Sequence, residues 1–367
     1  MVQTWKRWAP ELEAERLGFA AAPEYHVFPT RERPLKPYEA VARATVSTRE
    51  LVAEMRPDVV VADILTLAPA LAAELQGVPW ATLIPHVDPR PAPGFPPYSL
   101  GARLPRTPVG RLLWRATERI VDRGLRLGRA ELNETRRRLG LPPLEHLHGG
   151  ISRDLAIVGT FPQLEYPRPR PEPNTHVVGP LQWEPPTEDV ELPGGDSSWP
   201  LVLVAPSTAQ DREQRMLRAA LEGLADLPVR VLATTNRRAP TDGIDVPDNA
   251  VLVDWLSYSR TMPHADVVVC HAGHGTLVRA LSCGCAVVAC PAAGDMNENA
   301  ARLAWYGAGV RVPRRLLGPR ALALAVRRAL SDERMRDRAR ALRDWIAAHD
   351  PGARAVELIE RFAARRP

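Results

Sequence analysis

Short apolar runs alternate with longer stretches of helical pattern along most of the chain. The first half contains four such runs, namely "VVVAD" ending at Asp63, "WATLIPH" ending at His86, "LAIVGT" ending at Thr160 and "HVVGP" ending at Pro180. The second half contains five, namely "LVLVAPS", "VRVLATT", "AVLVDW", "ADVVVCHAG" and "CAVVACP". Runs of this length and composition are typical of buried strands, and their alternation with helices predicts an α/β fold built on parallel sheets.

Two longer regions are predicted to be helical throughout. In residues 110–141, apolar side chains recur at helical spacing with Arg on the other faces. This pattern suits either contact with a membrane surface or a solvated helical pair packed on a domain, and the interspersed Asp and Glu favour the second. The region from about residue 320 to residue 365 is also helical, with Pro351 and Gly352 dividing it into two parts.

A proline-rich segment separates the two halves. From Trp183 to Pro200 the chain has prolines, two adjacent glycines and no apolar periodicity. We therefore predict an interdomain linker at residues 183–199, between a domain at residues 1–182 and a domain at residues 200–367. Both domains are expected to be Rossmann-like and to face each other across a cleft.

Composition and charge narrow the function classes. The 367 residues carry a formal charge of +5, almost all of it from scattered Arg. No compact basic run with interleaved aromatic residues indicates a nucleic-acid partner. No apolar run approaches the roughly 20 residues of a membrane span, and the N-terminus lacks the apolar segment of a signal peptide.

The cysteines lie close together in the second half of the chain: Cys270, Cys283, Cys285 and Cys290. They are expected to be small apolar residues of buried strands rather than ligands of a zinc site, because the spacing is not that of common zinc motifs. Their arrangement favours a reducing cytoplasm over a disulfide-bonded secreted domain.

The segment "VVVCHAGHGTLVRALSCGCAVVACP", residues 267–291, places a small-residue turn between a strand and a helix. The turn contains His271, Ala272, Gly273, His274, Gly275 and Thr276. Small residues let a ligand approach the backbone, Thr276 is a candidate helix cap, and the unpaired N–H groups of a helix start suit a phosphate. A turn with no ligand is the alternative, because a lone Gly-x-Gly is a weak signal.

Residues 251–309 as a whole resemble the donor-binding signature of glycosyltransferase family 1, the inverting GT-B enzymes that use nucleotide-diphosphate sugars. The resemblance extends to "LVLVAPST" and to the two-domain layout, and is closest to bacterial enzymes that glycosylate macrolides and other natural products. It implies transfer of a sugar from a UDP or dTDP donor to a hydroxyl of a small, apolar acceptor. It also implies that no metal or other cofactor is required.

The resemblance assigns donor-binding roles to individual positions. Trp255 would stack on the nucleobase, Asp295 would bind the sugar hydroxyls, and Asn299 would support the site from the side of its helix. The diphosphate contacts would come from Ser207, Thr208, His271, Gly273, His274, Gly275 and Thr276.

Three positions depart from the family pattern. Tyr258 and Met296 replace glutamines, and Arg279 replaces the glutamate that usually holds the ribose. Because Met296 is a poor partner for a hydroxyl, we predict a deoxysugar donor. Arg279 has only hydrogen-bond donors and is expected to face the diphosphate instead.

The start of the chain departs further. The family begins with a strand and turn that carry the catalytic histidine, whereas "MVQTWKRW" resembles the end of the second strand, and no residue here matches that histidine. We expect a start codon assigned too late, with a truncated, inactive product as the alternative. Asp63 matches the aspartate that orients the histidine, although a simple helix cap is an equal alternative.

Two other functions are compatible with parts of the pattern. A non-catalytic nucleotide-sugar binder or auxiliary protein would explain the unmatched histidine. A dinucleotide-dependent oxidoreductase would share the Rossmann-like layout, but the glycine-rich first turn with a downstream acid is not evident. The loop of residues 90–108, "RPAPGFPPYSLGARLPRTP", is expected to help choose the acceptor, and His86 is a candidate residue of the acceptor site.

Overall fold

A computed structural model describes residues 1–23, 39–185, 192–194, 196, 198–207, 213–238 and 243–365. Its strands are β1 Val2–Thr4, β2 Phe19–Ala21, β3 Val60–Asp63, β4 Trp80–Ile84, β5 Ala156–Val158, β6 Thr175–Val177, β7 Leu201–Ala205, β8 Arg230–Thr234, β9 Ala250–Val253, β10 Val267–Cys270, β11 Ala286–Ala289 and β12 Gly309–Arg311. Its helices are α1 Ala9–Ala14, α2 Glu39–Met55, α3 Ala68–Leu75, α4 Pro108–Arg115, α5 Glu118–Arg138, α6 Arg215–Leu224, α7 Tyr258–Thr261, α8 His274–Ser282, α9 Asp295–Tyr306, α10 Pro319–Ser331, α11 Glu333–Ala347 and α12 Pro351–Ala363.

The second half of the chain is built on a six-stranded parallel sheet. Its strand order is β12-β11-β10-β7-β8-β9, so the chain reverses its direction of travel across the sheet between β7 and β10. In such doubly wound sheets, ligands bind where the order reverses, outside the carboxyl ends of the strands. The strand register pairs Ala205 of β7 with Cys270 of β10, so the turns that follow these two strands are neighbours.

Helices cover both faces of this sheet. The helices α8, α9 and α11 contribute buried residues to one apolar layer, and α6 and α10 contribute to the other. All residues of β7, β10 and β11 are buried, which is why these strands read as unbroken apolar runs in the sequence. All five strands predicted in this half are present.

The first half contains a smaller sheet and a separate pair of strands. The smaller sheet is parallel, in the order β3-β4-β5-β6, and includes all four strands predicted from the apolar runs. The strand β1, from the segment "MVQTWKRW", pairs with β2 in a two-stranded parallel sheet. Among the described strands, β3 pairs with β4 alone. The interpretation of the start site remains a prediction.

The predicted helices at residues 110–141 are present as α4 and α5, but the C-terminal prediction needs correction. The region has three helices rather than two parts, because Asp332 ends α10 and its side chain accepts a hydrogen bond from Met335 N at the start of α11. The last helix, α12, packs against the sheet of the first half. Its contacts there involve Ala81, Leu155, Ile157 and Val178 on the sheet side and Ala355 and Leu358 on the helix.

Two short strands, β2 and β12, were not predicted. Within the part of the chain that the structure describes, no helix is long and apolar enough to span a bilayer.

Candidate functional site

The site predicted from the turn after β10 lies at the point where the sheet order reverses. His271 follows β10 directly, and its Nδ1 lies 3.5 Å from the carbonyl oxygen of Ala205, the last residue of β7. Ser207, two residues further on, is buried beside the same edge. The predicted partner Thr208 lies outside the described residues. The loops after β7 and β10 therefore form one site, as the register requires.

The helix α8 begins at His274 with unused backbone donors. Its first internal hydrogen bond runs from Leu277 N to Gly273 O. Within the described chain, the N–H groups of His274, Gly275 and Thr276 make no hydrogen bond to protein. Among the described residues, a side chain at Gly275 would meet nothing within 4 Å, so they leave this helix start open. Three aligned N–H groups at the positive end of a helix are a ready site for an anion.

The predicted cap at Thr276 is wrong. Gly273 occupies the capping position, no side chain of the described residues caps the helix, and Thr276 lies inside the first turn. Since no side chain fills the capping site, the backbone donors remain free for a ligand.

The turn before α8 is strained and held from outside. Ala272 has φ of 63°, in the left-handed region that residues with a side chain seldom adopt. Its carbonyl oxygen accepts a buried hydrogen bond of 3.0 Å from Nδ2 of Asn299 on α9. A Cβ on Gly273 would lie 2.3 Å from Nε2 of His271, so any larger residue there would have to displace the His271 ring. The turn is thus fixed in one shape by α9.

Both histidines of the turn are held in the neutral form. Burial lowers the pKa of His271 below its usual value, and the nearby Asp295 carboxylate partly offsets this effect. Burial also lowers the pKa of His274 to about 4. Because a carbonyl only accepts, the 3.2 Å contact with Gly159 O makes Nε2 of His274 the donor. Nε2 of His274 is therefore engaged by Gly159 O, and a role of His274 at a diphosphate stays a prediction.

Trp255 lies beside the same edge, after β9, with a cation on its face. The guanidinium carbon of Arg237 is 4.4 Å from the centre of the Trp255 ring. Arg237 and Asn236 both have positive φ, and a hydrogen bond from Arg237 N to Asp254 O holds the turn. Sequence reasoning missed Arg237, because its contact depends on the strained turn after β8.

Residues of the first half reach the open helix start. Gly159 N donates to Ile84 O, and Gly159 O accepts from His274, so the carboxyl end of β4 is tied to α8. Beyond Ile84, Nδ1 of His86 lies 2.7 Å from Val87 O and 3.4 Å from the hydroxyl of Tyr98. Burial, together with the carboxylates of Asp295 and Glu298, raises the pKa of Tyr98. The candidate acceptor side and the candidate donor side thus meet at one cleft.

Asp295 is the first residue of α9. It is partly buried, and it follows Gly294, whose φ of 56° turns the chain into the helix. Asn299 lies one turn later on the same helix and contacts the turn as described above. The sugar-binding role of Asp295 is not tested by these contacts.

The Arg279 guanidinium contacts the linker, whereas we expected it from the sequence to face a diphosphate. Its Nη1 lies 3.6 Å from Oε2 of Glu184, and its Nη2 donates to Trp183 O. The same Glu184 carboxylate accepts hydrogen bonds from Tyr258 N and Ser259 N, each of 2.8 Å. Arg279 therefore anchors the beginning of the linker to α8.

The other two departures from the family pattern have structural partners. The Tyr258 hydroxyl donates to Oδ1 of Asn236 at 3.0 Å. Met296 is partly buried and packs against the apolar core of the second half. Neither contact requires a ligand.

Asp63 ends β3 and stabilises the next turn. Its Oδ1 accepts a hydrogen bond of 2.8 Å from Leu65 N. This bond closes a turn between β3 and α3 rather than capping the helix, whose capping position is Leu67. It leaves Oδ2 of Asp63 with no partner among the described residues. A catalytic role of Asp63 stays a prediction.

The cysteines and acids form no metal site in the part of the chain described. All four cysteines are free, and Cys270, Cys285 and Cys290 are buried. No group of three or more His, Cys, Asp or Glu among the described residues is arranged to hold a metal ion.

Comparison with known proteins adds independent information. Residues 218–361 match the sequence model of the erythromycin biosynthesis protein CIII-like C-terminal domain. The chain is 33% identical over 323 residues to 4'-demethylrebeccamycin synthase of Lentzea aerocolonigenes, covering 84% of this chain and 75% of that protein. It is 33% identical over 290 residues to O-mycaminosyltylonolide 6-deoxyallosyltransferase of Streptomyces fradiae, covering 74% and 65%.

The fold is also similar to solved structures. The glycosyltransferase VinC in complex with dTDP superposes with a TM-score of 0.67, at 20% identity, over 97% of this chain and 90% of that one. At this identity the likeness shows the fold alone, which is GT-B.

Proposed function

The chain belongs to glycosyltransferase family 1, and on that premise we propose that it transfers a sugar from a nucleotide-diphosphate donor to a hydroxyl of a small natural-product acceptor. The observation that carries this proposal is the open start of α8. Its three unused N–H groups lie where the sheet order reverses, which suits a diphosphate. The sequence spans 75% and 65% of the length of the two relatives compared, so the substrates are part of the proposal.

The chemistry follows from what this chain supplies. In a single displacement, the acceptor oxygen attacks the anomeric carbon, the bond to the diphosphate breaks, and negative charge grows on the departing phosphate. The N–H groups of His274, Gly275 and Thr276 meet that charge without rearrangement, because Asn299 already holds the turn. His271 would join them as a donor from Nε2 once the diphosphate raises its pKa. The proton of the acceptor hydroxyl passes to a general base, and none of the residues assigned above is given that role.

We also propose a dTDP-linked deoxysugar as the donor. Met296 offers no partner for a sugar hydroxyl. One relative transfers 6-deoxyallose, according to its name, and the VinC structure contains dTDP.

The test is a donor screen. Purified protein is incubated with UDP-glucose, dTDP-glucose and a dTDP-6-deoxysugar, with 4-methylumbelliferone as a phenolic acceptor, and the released nucleotide is measured. The proposal expects the dTDP-deoxysugar to be used best, with inversion at the anomeric carbon. Full preference for UDP-glucose would contradict the donor assignment, and binding of NAD in place of dTDP would contradict the function.

No metal is expected to take part. The helix start and His271 meet the diphosphate charge, so activity should be unchanged by an excess of EDTA. A loss of activity that Mg²⁺ restores would refute this part of the proposal.

The four free cysteines suit a reducing compartment, and we propose a cytoplasmic location on that ground. The two relatives are named a synthase and a transferase, and both names describe enzymes, which disfavours the non-catalytic alternative.

A further inference from the structure

A network of buried and partly buried charges joins the two halves of the chain beside the cleft. Its centre is Arg302 on α9, which is 3% exposed. Its Nη1 lies 2.8 Å from Oε2 of Glu165 in the first half, and its Nε lies 2.8 Å from Oε1 of Glu298 on its own helix. Its guanidinium carbon is also 4.3 Å from the ring centre of Tyr166.

The network continues into the loop of residues 90–108, here called the proline-rich loop. The second oxygen of Glu165 accepts a 2.7 Å hydrogen bond from Asp88 N, just before the loop. The Asp88 carboxylate is 3% exposed and pairs with Arg90 at 2.7 Å and with Arg168 at 3.3 Å. Three carboxylates thus balance three guanidinium groups, so the buried network carries no net charge.

Apolar and backbone contacts fasten the same loop further along. Phe95 packs edge-on against Tyr166, with ring centres 5.6 Å apart, and Tyr166 packs against Trp305 of α9 at 4.9 Å. Further on, Gly101 O accepts a hydrogen bond from Arg311 of β12. The proline-rich loop therefore contacts the second half directly at Gly101, and it is linked to α9 indirectly through Glu165 and Tyr166.

The helix α9 connects this network to the turn before α8. Asp295, Asn299 and Arg302 are separated by four and three residues, so they lie along one face of the helix. Asn299 holds the turn at Ala272, and Arg302 holds the loop through Glu165 and Asp88. One rigid element therefore sets the distance between the open helix start and the proline-rich loop.

Stability alone does not explain such a network. Burying paired charges is often no better for stability than burying apolar side chains of the same volume, whereas buried pairs can specify one geometry. The proteins that use them in this way gain a fixed arrangement rather than free energy of folding. Here the network fixes the position of the proline-rich loop relative to α8.

We propose that Arg302 is a positioning residue, which holds the proline-rich loop at the place where an acceptor meets the donor bound at α8. The inference rests on the proposed function and deepens it. It assigns acceptor placement to a residue of the second half, far from the loop in sequence.

The test compares Arg302→Met with a matched control, Arg136→Met. Arg136 is 2% exposed and pairs with Glu74 at 2.7 Å, so it is an equally buried arginine, but it joins α5 to α3 within the first half. Hydrogen–deuterium exchange is measured over residues 90–108. Arg302→Met should speed exchange there by about 10-fold or more, whereas Arg136→Met should leave it unchanged.

Kinetics provide the second readout. With 4-methylumbelliferone as acceptor, Arg302→Met should raise the acceptor KM about 10-fold or more and increase hydrolysis of the donor relative to transfer, while the Kd for dTDP stays within about 2-fold of the parent protein. Arg302→Lys keeps the charge but cannot contact Glu165 and Glu298 at the same time. Its acceptor KM and its ratio of hydrolysis to transfer should lie between those of the parent protein and those of Arg302→Met. If Arg302→Met does not fold, Arg302→Lys and Glu165→Gln carry both readouts.

Each outcome decides between the possibilities. Equal loop exchange in Arg302→Met and Arg136→Met would overturn the inference, and so would a loss of dTDP affinity as large as the change in acceptor KM. If the parent protein turns over no nucleotide sugar, the proposed function fails, yet the exchange measurement still decides whether Arg302 holds the loop.

Discussion

At the scale of single residues, Gly275 decides whether the helix start can accept an anion. A side chain there would meet open space, so substitution should not disturb the fold. Gly275→Glu would place a carboxylate beside the three free N–H groups, where it also interacts favourably with the helix dipole. The variant should therefore be as stable as the parent protein but bind dTDP at least about 10-fold more weakly, because like charges repel strongly at this distance.

The control is Gly275→Gln, which has the same shape without the charge. The difference between the two variants, measured by calorimetric titration with dTDP, isolates the electrostatic part of the effect. Equal affinities for Gln and Glu would mean that the diphosphate does not bind at the start of α8.

His274 makes the fold sensitive to acid. Burial lowers its pKa to about 4 in the folded protein, whereas the unfolded chain has a value near 6.5. Between these values the unfolded state binds the extra proton, so stability is present above pH 6.5 and falls as the pH drops toward 4. One such group accounts for a loss of about 3 kcal/mol over this range.

Urea unfolding of His274→Gln at pH 7.0, 5.5 and 4.5 measures this contribution. Glutamine can still donate to Gly159 O but does not titrate, so the variant should lose less stability than the parent protein on acidification. His264→Gln, at an exposed position, serves as the control. Parallel losses in all three proteins would show that His274 does not titrate in this way.

At the scale of elements, α12 belongs to the second half in sequence but completes the core of the first. Leu358 is 8% exposed and packs near Ile157 and Val178, whereas Val356, on the same helix, is 52% exposed. Leu358→Ala should lower the free energy of unfolding by about 2 kcal/mol or more, because it leaves a cavity between helix and sheet. Val356→Ala should change it by less than about 0.5 kcal/mol.

Equilibrium unfolding in urea gives both values. Exchange of the β5 amides adds a local readout, since only Leu358→Ala removes apolar cover from that strand. If the two alanine variants lowered the free energy of unfolding equally, Leu358 would not be packed between α12 and the first sheet.

The strands were predictable because parallel strands are buried on both faces. Val267 to Cys270, Leu201 to Ala205 and Ala286 to Ala289 are fully apolar and fully buried, so each is visible in the sequence as an unbroken apolar run. The three-residue strands β2 and β12 are too short for any such pattern. The start of α8 was predictable for a similar local reason, since Gly273 and Gly275 follow a buried strand directly.

The parts that were missed depend on contacts between distant residues. The amphipathic pattern of α12 shows which face is buried but not that its partner is the first sheet. Arg302 and Glu165 are 137 residues apart, and nothing in the local sequence of either predicts the pair. The partner of Arg279 was mispredicted because Glu184 approaches α8 from the linker, which no local rule could place.

At the scale of the whole molecule, the two halves are joined at several points around one cleft. The hydrogen bond from His274 to Gly159, the ion pair from Arg302 to Glu165 and the edge-on contact of Phe161 with Trp345 cross from one half to the other. In addition, Phe161 and Leu164 of the first half pack in the core of the second, and α12 packs in the core of the first. We therefore expect the two halves to unfold together.

Nucleotide binding should then stabilise both halves, although dTDP is expected to touch mainly the second. At a dTDP concentration 100 times its Kd, the free energy of unfolding rises by about 2.7 kcal/mol. Amides that exchange only through global unfolding should slow by the same factor in β11 of the second half and in β5 of the first, whereas α4, which has no buried residue, should exchange at an unchanged rate. The Gly275→Glu variant separates this effect from a general action of dTDP, because at the same dTDP concentration exchange should slow about 10-fold less in both sheets. Slowing in β11 without slowing in β5 would mean that the halves unfold separately, and that the contacts across the cleft position the two substrates without making the fold cooperative.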